Sequence, residues 1–501
     1  MRTGMRAALA SGAAIALIAG ACANPDPAED TSTGDTDTSQ EDVDDSDDGD
    51  ETGDDSDDDT DEGAAAAAPG ELDVPEGYTH LAAAVDGEYA GESVTLLSQW
   101  IAEDGDRFAE ALRPFEEATG ITVQVDGVTD YTTTLVTRVE GGNPPDLAQI
   151  AQPGLMRTLA GNDRLVALDE WMDVDQLRSD FGAAWTEMTS AGDSVHGVTW
   201  GAFTKSVVWY PAEAFDAAGY SEPETWDELE ELMDDISASG VTPWCISVEQ
   251  GDFSGWPATD WVEDVLLRTA PVEVYDEWAA GERDFSDPEV AQAFEFVEEL
   301  FFTQGNTFGG PIWMNETWVG ATPLPMFHGS DGPDCFFHKQ ATWIADFFLA
   351  DPNASADDTD AERLQPGTDA RFFVLPPIDE EFGTPVLGAA DQFVMFEDRD
   401  EVRALTEYLA TTSAVEPMIA AGGFISPNQR VPDEWYQDYS SRTAADILAA
   451  ASVLRDDASD GMPAPVGSAF NSSMVDWIRA EGDNTSDILA GLDEVDWEGE
   501  E

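Results

Sequence analysis

The chain has 501 residues, with 106 acidic side chains against 20 lysines and arginines and a formal charge of −86 at pH 7. Such a surface repels phosphates, which excludes nucleic acid as a partner and a polybasic attachment to membranes. Four histidines and three cysteines offer few ligands for a metal centre, and we expect no metal and no cofactor. The length predicts at least two lobes. The acidic excess is typical of a salt-adapted protein, because salt screens the self-repulsion of a charged fold.

The N-terminus predicts export. Arg2 and Arg6 precede an apolar run over residues 7–21, which is too short to span a membrane and is typical of a signal peptide. Residues 18–22 resemble a bacterial lipobox, in which Cys22 is lipidated, although Ala19 stands where leucine is commonest. We therefore predict a signal peptide with a lipobox over residues 1–22. The alternative is a secreted protein in which Cys22 is a stray thiol.

An acidic segment of low complexity follows the signal peptide. Residues 24–70 contain no basic side chain and include runs such as Asp57-Asp58-Asp59. A segment of this composition cannot bury enough apolar surface to offset the entropy lost on ordering. We predict that residues 23–92 form a disordered acidic tether and that the folded body begins near Ser93.

The start of the body alternates strands and helices. Residues 94–97 form an apolar strand pattern, residues 107–119 have one apolar helical face, and residues 121–125 alternate as a strand does. A second predicted helix over residues 130–140 leads into an apolar run over residues 146–150. Repeated strand-helix-strand units favour a parallel α/β sheet.

A second α/β unit is predicted further along the chain. Thr225 and Glu228 have the spacing of a capping box, which opens a helix with an apolar face. A strand pattern over residues 242–248 follows this helix. We therefore expect a second lobe to begin near Lys205.

The cysteines agree with an exported protein. If Cys22 carries a lipid, Cys245 and Cys335 remain as an even pair in an oxidising compartment, which predicts a disulfide between them. The alternative is two unrelated buried thiols.

Enzyme motifs are not found. Thr204 stands where a P-loop has glycine before the lysine, and the chain has no HExxH motif and no GxGxxG after a strand. Residues 192–196 superficially resemble a serine nucleophile turn but lack its second glycine, so we interpret them as an exposed turn. We predict no catalytic residue.

The positions of the aromatic residues are the most informative feature of the composition. Several of the 16 tryptophans stand beside turn residues rather than inside a helical pattern: Trp100, Trp200, Trp256 and Trp313. Flat aromatic faces beside hydrogen-bonding side chains suit sugars, whose C–H faces are apolar and whose hydroxyl rims need donors and acceptors. A role in the core is the alternative for each of these tryptophans.

Several motifs resemble a known family. Ser93–Trp100 and Tyr131–Gly154 are similar to the first lobe of family 1 extracellular solute-binding proteins of ABC transporters. Four later motifs resemble the alpha-glucoside-binding branch of that family: Lys205–Pro211, Ser254–Trp261, Cys335–Ala341 and Leu375–Asp379. The resemblance extends over nearly all of residues 93–480, and the order and spacing of the motifs make it specific.

The resemblance implies an α/β fold of the periplasmic-binding-protein-like class II type, in which two α/β lobes are joined by a multi-strand hinge, as in maltose-binding protein. By analogy, lobe 1 comprises residues 93–204 plus 386–430, and lobe 2 comprises residues 205–385 plus 431–501.

The same resemblance implies a ligand crevice between the lobes, beyond the ends of the strands. The side chains expected to stack on sugar rings are Trp256, Phe470 and Trp100. Those expected near sugar hydroxyls are Tyr131, Gln152, Lys205, Glu249, Asp260 and Asp391. Two of these residues have an alternative to ligand binding. Lys205 could instead be an ion-pair partner of surrounding carboxylates, and Asp260 could be a helix N-terminal residue favoured by the helix dipole.

These observations predict a monomeric lipoprotein on the extracellular face of the cytoplasmic membrane. It would capture a neutral oligosaccharide, with an alpha-glucoside as the leading candidate, and deliver it to the permease of an ABC-type importer without chemical change. The alternatives are a receptor for another neutral solute such as a polyol, a secreted acidic glycoside hydrolase, and a structural surface protein.

Overall fold

The computed structural model describes residue 72 and residues 74–129, 131–355 and 361–497. The predicted signal peptide, Cys22 and most of the predicted tether lie outside these residues. All the elements below belong to one compact unit. Within the described part of the chain, no helix is both long enough and apolar enough to cross a bilayer.

Strands and α-helices alternate along the described residues. The strands are β1 Ser93–Ser98, β2 Thr122–Gly127, β3 Leu147–Ile150, β4 Ser190–Ala191, β5 Ser194–Val195, β6 Gly197–Thr204, β7 Val207–Pro211, β8 Thr242–Trp244, β9 Cys335–Lys339, β10 Ala370–Val374, β11 Val386–Met395 and β12 Leu454–Asp456. The helices are α1 Thr79–Val85, α2 Ala102–Thr119, α3 Tyr131–Glu140, α4 Pro153–Gly161, α5 Val174–Phe181, α6 Ala183–Met188, α7 Ala212–Ala218, α8 Trp226–Ser239, α9 Trp256–Thr269, α10 Val272–Ala279, α11 Pro288–Phe302, α12 Gly310–Glu316, α13 Leu324–His328, α14 Asp400–Leu409, α15 Thr412–Ala421, α16 Tyr439–Ala450, α17 Ala458–Gly461, α18 Ala464–Arg479 and α19 Thr485–Asp493.

The first lobe is built on a six-stranded sheet of order β12-β11-β3-β1-β2, in which β6 also pairs with β11. Strand β1 runs parallel to β2 and β3, which confirms the predicted strand-helix-strand units. Strand β11 runs antiparallel to β3 and β6, so the sheet is mixed rather than purely parallel as predicted. Helices cover both faces of the sheet, because the buried Phe108 and Leu112 of α2 belong to one apolar cluster and the buried Leu135 and Met156 of α3 and α4 to another.

The second lobe is built on a four-stranded sheet of order β10-β7-β9-β8. Helices α8, α9 and α11 supply large buried side chains to its core, among them Trp226, Trp261 and Phe294. Cys245 follows β8 and Cys335 opens β9, and the two cysteines form a disulfide with their Cα atoms 5.6 Å apart. The predicted pairing is confirmed.

The lobes are joined by several crossing segments. Only Lys205 and Ser206 separate β6 of the first sheet from β7 of the second, so the chain changes lobes at the predicted position. The chain returns between β10 and β11, and Ser206 Oγ accepts a hydrogen bond from the Leu387 backbone N–H at 2.8 Å, which ties the two crossings together. This is the predicted two-lobed α/β architecture with a multi-strand hinge.

The detailed lobe boundaries stay a prediction, but one strand lies in a different sheet from the one that they imply. Strand β12 lies in the first sheet, where Leu454 pairs with Val386 of β11, although the prediction assigned residues 431–501 to the second lobe. A three-residue strand with one apolar and two charged residues carries too little pattern to reveal its partner.

The predicted tether extends too far toward the C-terminus. Residues 79–85 form helix α1, in which Leu81 and Ala84 are fully buried. The Leu81 backbone N–H donates to Glu407 Oε2 of α14 at 2.7 Å. The prediction is wrong for this segment because Tyr78, Leu81 and Ala84 recur every three residues, which gives the segment one apolar face that can pack on the first lobe.

Candidate ligand-binding cleft

A cleft of about 640 Å³ lies between elements of the two lobes. The volume falls within the range of about 300–1,000 Å³ typical of small-molecule sites. Its lining residues are Gln99, Trp100, Ile101, Asp104, Thr129, Tyr131, Thr132, Ala151, Gln152, Phe203, Lys205, Gln250, Phe253, Trp256, Trp318, Trp343, Asp346, Phe347, Arg363, Ala389, Ala390, Asp391, Asp460 and Asn471.

The first-lobe wall carries a buried carboxylate held by two amides. Asp391 is 2% exposed, and its Oδ1 accepts hydrogen bonds from Gln149 Nε2 at 2.8 Å and Gln99 Nε2 at 3.4 Å. It stands at an irregularity of β11, where the register with β6 shifts between Asp391 and Gln392. Burial raises the pKa of Asp391 to about 7, and the charge of Asp104 acts in the same direction.

Two further polar side chains extend this wall. The Tyr131 hydroxyl donates to the Gln149 carbonyl, and burial followed by the charge of Asp391 raises the pKa of Tyr131 above its ordinary value. Gln152 stands just before α4, and its buried Oε1 has no hydrogen-bond partner among the described residues. A buried amide oxygen without a partner costs stability, so Gln152 offers a ready acceptor to a ligand hydroxyl.

Aromatic side chains dominate the second-lobe wall. Trp256 opens α9, and its indole N–H donates to Gln250 Oε1 at 2.5 Å. The ring of Trp343 lies 6.0 Å from that of Trp256, between centroids. Phe347 and Trp318 continue the wall beyond Trp343.

Glycine at position 255 is required for the placement of Trp256. Gly255 has φ +114°, and a Cβ at this position would lie 1.9 Å from the Asn471 carbonyl oxygen of α18. Only a residue without a side chain allows the start of α9 to approach α18 this closely.

Lys205 is the buried cation at the base of the cleft. Its Nζ lies 3.0 Å from Asp260 Oδ1, is ion-paired with Asp457, and lies 3.9 Å from Asp460 Oδ2. It also lies 5.1 Å above the ring of Trp256. Burial alone would lower the pKa of Lys205, but the surrounding carboxylates outweigh it and raise the pKa above its ordinary value.

The pKa values of the carboxylates around Lys205 shift in different directions. Burial, with the charge of Asp457 added, raises the pKa of Asp460 to about 8. Burial also tends to raise the pKa of Asp457, but the ammonium of Lys205 and several hydrogen bonds hold it below its ordinary value. Lys205 therefore stabilises the ionised form of Asp457.

The same cluster includes a possible metal-ligand set. Oxygen atoms of Asp260, Glu263 and Asp457 lie within 4.8 Å of one another. Glu263, however, accepts hydrogen bonds from the backbone N–H groups of Ala458 at 3.0 Å and Ser459 at 3.1 Å, and Lys205 supplies the positive charge. Contacts between these side chains and their neighbours therefore join α9 to the start of α17 and to Lys205, the residue that follows β6.

Comparison with known proteins supplies the family. The family model described as "Bacterial extracellular solute-binding protein" matches residues 97–317. The chain is 39% identical over 395 residues to the osmoprotective compounds-binding protein GgtB of Synechocystis sp., and the match covers 79% of this chain and 90% of that protein. The chain belongs to the bacterial extracellular solute-binding protein family.

Two further matches agree with this assignment. The chain is 34% identical over 416 residues to the alpha-glucosides-binding periplasmic protein AglE of Rhizobium meliloti, a match that covers 80% of this chain and 86% of that protein. The crystal structure of the bacterial solute receptor AcbH superposes with a TM-score of 0.68 at 15% identity, over 81% of this chain and 98% of that one. The AcbH structure shows the common fold.

Six of the nine residues predicted for the site of this solute-binding protein line the cleft: Trp100, Tyr131, Gln152, Lys205, Trp256 and Asp391. Their contact with a ligand stays a prediction. Trp100 is half-buried and packs on Phe108 and Trp200, with centroid distances of 5.0 and 5.3 Å. The alternative proposed for Lys205, an ion pair with surrounding carboxylates, describes its contacts in the structure.

Three predicted residues of the solute-binding protein are not among those that line the cleft. Phe470 is fully buried and packs on Phe285 with ring centroids 5.2 Å apart, so the expectation that it stacks on a sugar does not hold in this structure. Asp260 is buried against Lys205. Glu249 accepts from the Gly251 backbone N–H at 3.0 Å, and its carbonyl accepts from the Val319 backbone N–H.

Sequence reasoning missed several lining residues of the solute-binding protein. These are Gln99, Gln250, Phe253, Trp318, Trp343, Phe347, Asp460 and Asn471. Trp343 and Phe347 stand four residues apart beside the Cys335–Ala341 motif, a spacing that could have indicated a shared face. Trp318 and Asp460 gave no such signal.

Proposed function

We propose that this protein is the substrate-binding component of an ABC-type sugar importer and that it captures a neutral oligosaccharide, with an alpha-glucoside as the leading candidate. The observation that carries the proposal is the pairing of two unlike walls across one cleft. Aromatic faces from the second lobe oppose hydrogen-bonding groups from the first, which is the combination that a sugar ring requires.

The charges of the cleft support a neutral ligand. Asp104, Asp346, Asp391 and Asp460 all contribute carboxyl groups to its lining. Two basic side chains also line it: Lys205 is ion-paired with Asp260 and Asp457, and Arg363 donates to the backbone carbonyls of Asp346 and Ala361, each at 2.8 Å. Phosphorylated and carboxylated ligands favour clusters of basic side chains, and only Lys205 and Arg363 among the described lining residues are basic, so such ligands suit this cleft poorly.

The relatives support the choice of ligand class. AglE is described as binding alpha-glucosides, and this chain matches it over most of both lengths. GgtB is described as binding osmoprotective compounds, which favours a second candidate, another neutral solute such as a polyol.

The remaining parts of the proposal concern location and partners. The chain would be exported by its signal peptide, anchored through lipid on Cys22, and held by the acidic segment outside the cytoplasmic membrane. The monomer would close on its ligand because the ligand contacts both lobes at once, and the closed form would deliver the ligand to a permease. No bond in the sugar would break.

Isothermal titration in about 2 M KCl tests the proposal, with maltose, trehalose and sucrose as alpha-linked sugars, cellobiose as the beta-linked control and sorbitol as the polyol. Chromatography of the recovered ligand follows. We expect saturable binding of an alpha-linked sugar that is recovered unchanged. Preferred binding of sorbitol would favour the second candidate, and cleavage of the sugar would support a glycoside hydrolase instead.

A further inference from the structure

Four aromatic side chains of the second lobe form a continuous track along the cleft. In order they are Trp256, Trp343, Phe347 and Trp318, and all four line the cleft. Successive ring centroids lie 6.0, 5.8 and 5.1 Å apart. The track leads from Trp256, which is partly buried beside Lys205, to Trp318, which is 42% exposed.

Trp318, at the outer end of the track, is one of three exposed apolar side chains that line the cleft. We use the term rim for Ile101, Phe253 and Trp318, which are 41%, 39% and 42% exposed and also line the cleft. Five large hydrophobic side chains are exposed among the described residues, and these three line the cleft. Ile101 follows β1 of the first lobe while the other two belong to the second, so the rim borders the cleft from both sides.

Trp318 is held in its exposed position by its surroundings. Phe347 packs against its ring at an interplanar angle of 83°. A Cβ at Gly320 would lie 2.4 Å from the Trp318 ring, so the indole rests directly on a glycine backbone. The adjacent backbone is fixed as well, because the Val319 N–H donates to the Glu249 carbonyl at 3.0 Å.

An exposed aromatic ring that is held rigidly offers contact area at little cost in conformational entropy. A ligand confined to the inner part of the cleft would cover Trp256 and Trp343 and leave the rim in water. A longer ligand that follows the track would cover the rim as well.

We propose that the rim is an additional sugar subsite, so that the ligand class is an oligosaccharide of three or more residues whose end lies on Trp318. This inference rests on the proposed function and deepens it. It selects a longer sugar over a disaccharide or a polyol.

Titrations with matched di- and trisaccharides test the inference, using maltose with maltotriose and sucrose with raffinose at high salt. We expect the preferred trisaccharide to bind about tenfold more tightly than its disaccharide. Trp318→Ala should remove about tenfold of the trisaccharide affinity and change the disaccharide affinity less than twofold. Trp318→Phe should restore most of the loss.

Two further variants separate the subsite from a general effect on folding. Gly320→Ala keeps every rim side chain but displaces the Trp318 ring, so it should reproduce the selective loss of trisaccharide affinity. Ile312→Ala is the matched control, since Ile312 is 73% exposed and is not among the cleft-lining residues, and it should leave both affinities unchanged.

The outcomes distinguish the two proposals. Equal affinity for di- and trisaccharide, or an equal loss of both in Trp318→Ala, overturns the rim subsite while leaving a sugar receptor intact. Failure of the wild type to bind any of these four sugars overturns the rim subsite, and failure to bind trehalose as well overturns the proposed function.

Discussion

Asp391 places a carboxyl group in the cleft with a pKa raised by burial to about 7. In the unfolded chain the group ionises near pH 4, so between about pH 4 and 7 the unfolded state has lost the proton that the folded state keeps. The stability that Asp391 contributes is therefore fully present below about pH 4 and is lost as pH rises through 7.

Asp391→Asn should for this reason stabilise the free protein at pH 8. Asn can still accept the hydrogen bond from Gln149, and no buried charge remains. We expect the free energy of unfolding to rise by roughly 1–3 kcal/mol at pH 8, with a smaller gain at pH 5. Urea denaturation at the two pH values measures both. A less stable variant at pH 8 would show that the carboxylate is well solvated or paired.

Replacement of Lys205 should destabilise the protein, whereas replacement of Asp391 should stabilise it. Lys205→Met leaves the carboxylates of Asp260 and Asp457 without their cation, and breaking a buried pair in this way typically costs about 3–5 kcal/mol. We expect a loss of that order at pH 7, measured by urea denaturation, and a smaller loss at pH 5 because the orphaned carboxylates can then take up protons. Arg442→Met removes one exposed positive charge and should cost less than about 0.5 kcal/mol. Equal effects of the two substitutions would contradict this account of Lys205.

At the scale of single residues, the sequence could predict that the cleft combines aromatic and hydrogen-bonding side chains, but it could not identify every residue that supplies them. Lys205 and Asp391 were found through their motifs and surroundings. Phe470 was predicted for the site, yet its neighbour Asn471 faces the cleft, because adjacent positions on α18 point in directions about 100° apart. No pattern in one sequence fixes the rotation of a helix to that accuracy when both faces are partly buried.

Among the elements, α9 depends most directly on a single backbone position. Gly255→Ala should disturb the start of α9, since φ +114° disfavours a side chain and the new Cβ would meet the Asn471 carbonyl. We expect a lower melting temperature and at least tenfold weaker sugar binding through displacement of Trp256, measured by thermal unfolding and by titration. Gly491→Ala on α19 is the control, because no atom lies within 4 Å of its added Cβ. Unchanged binding in Gly255→Ala would contradict the placement of Trp256.

Local signals predicted elements better than pairings. The N-cap at Thr225 is confirmed, since Thr225 Oγ1 accepts from the Glu228 backbone N–H at 3.3 Å at the start of α8. The second half of the predicted capping box differs, because Glu228 Oε2 accepts from the backbone N–H of Glu224 at 2.8 Å. The strand predicted over residues 242–248 is real but shorter, as β8 ends at Trp244. The antiparallel course of β11 and the place of β12 depend on partners far away in sequence, which hydrophobic periodicity does not encode.

At the scale of the whole molecule, the charge of −86 sets the conditions under which the fold is stable. At about 1 M salt the Debye length falls to about 3 Å, and repulsion between surface carboxylates is largely screened. We expect the melting temperature to rise by at least 10 °C between 0.05 and 2 M KCl, measured by circular dichroism. A melting temperature independent of salt would contradict adaptation to high salt.

The central claim is that one neutral sugar is held by both walls of the cleft. The most direct test is titration at high salt with the sugar that the wild type binds best. Two cleft variants are titrated: Trp256→Ala from the second lobe and Asp391→Asn from the first. Trp497→Ala is the control, because its half-buried indole packs over Gly281 and is not among the cleft-lining residues. We predict at least tenfold weaker binding for each cleft variant and less than a twofold change for Trp497→Ala. Undiminished binding in both cleft variants would place the sugar elsewhere and contradict the account.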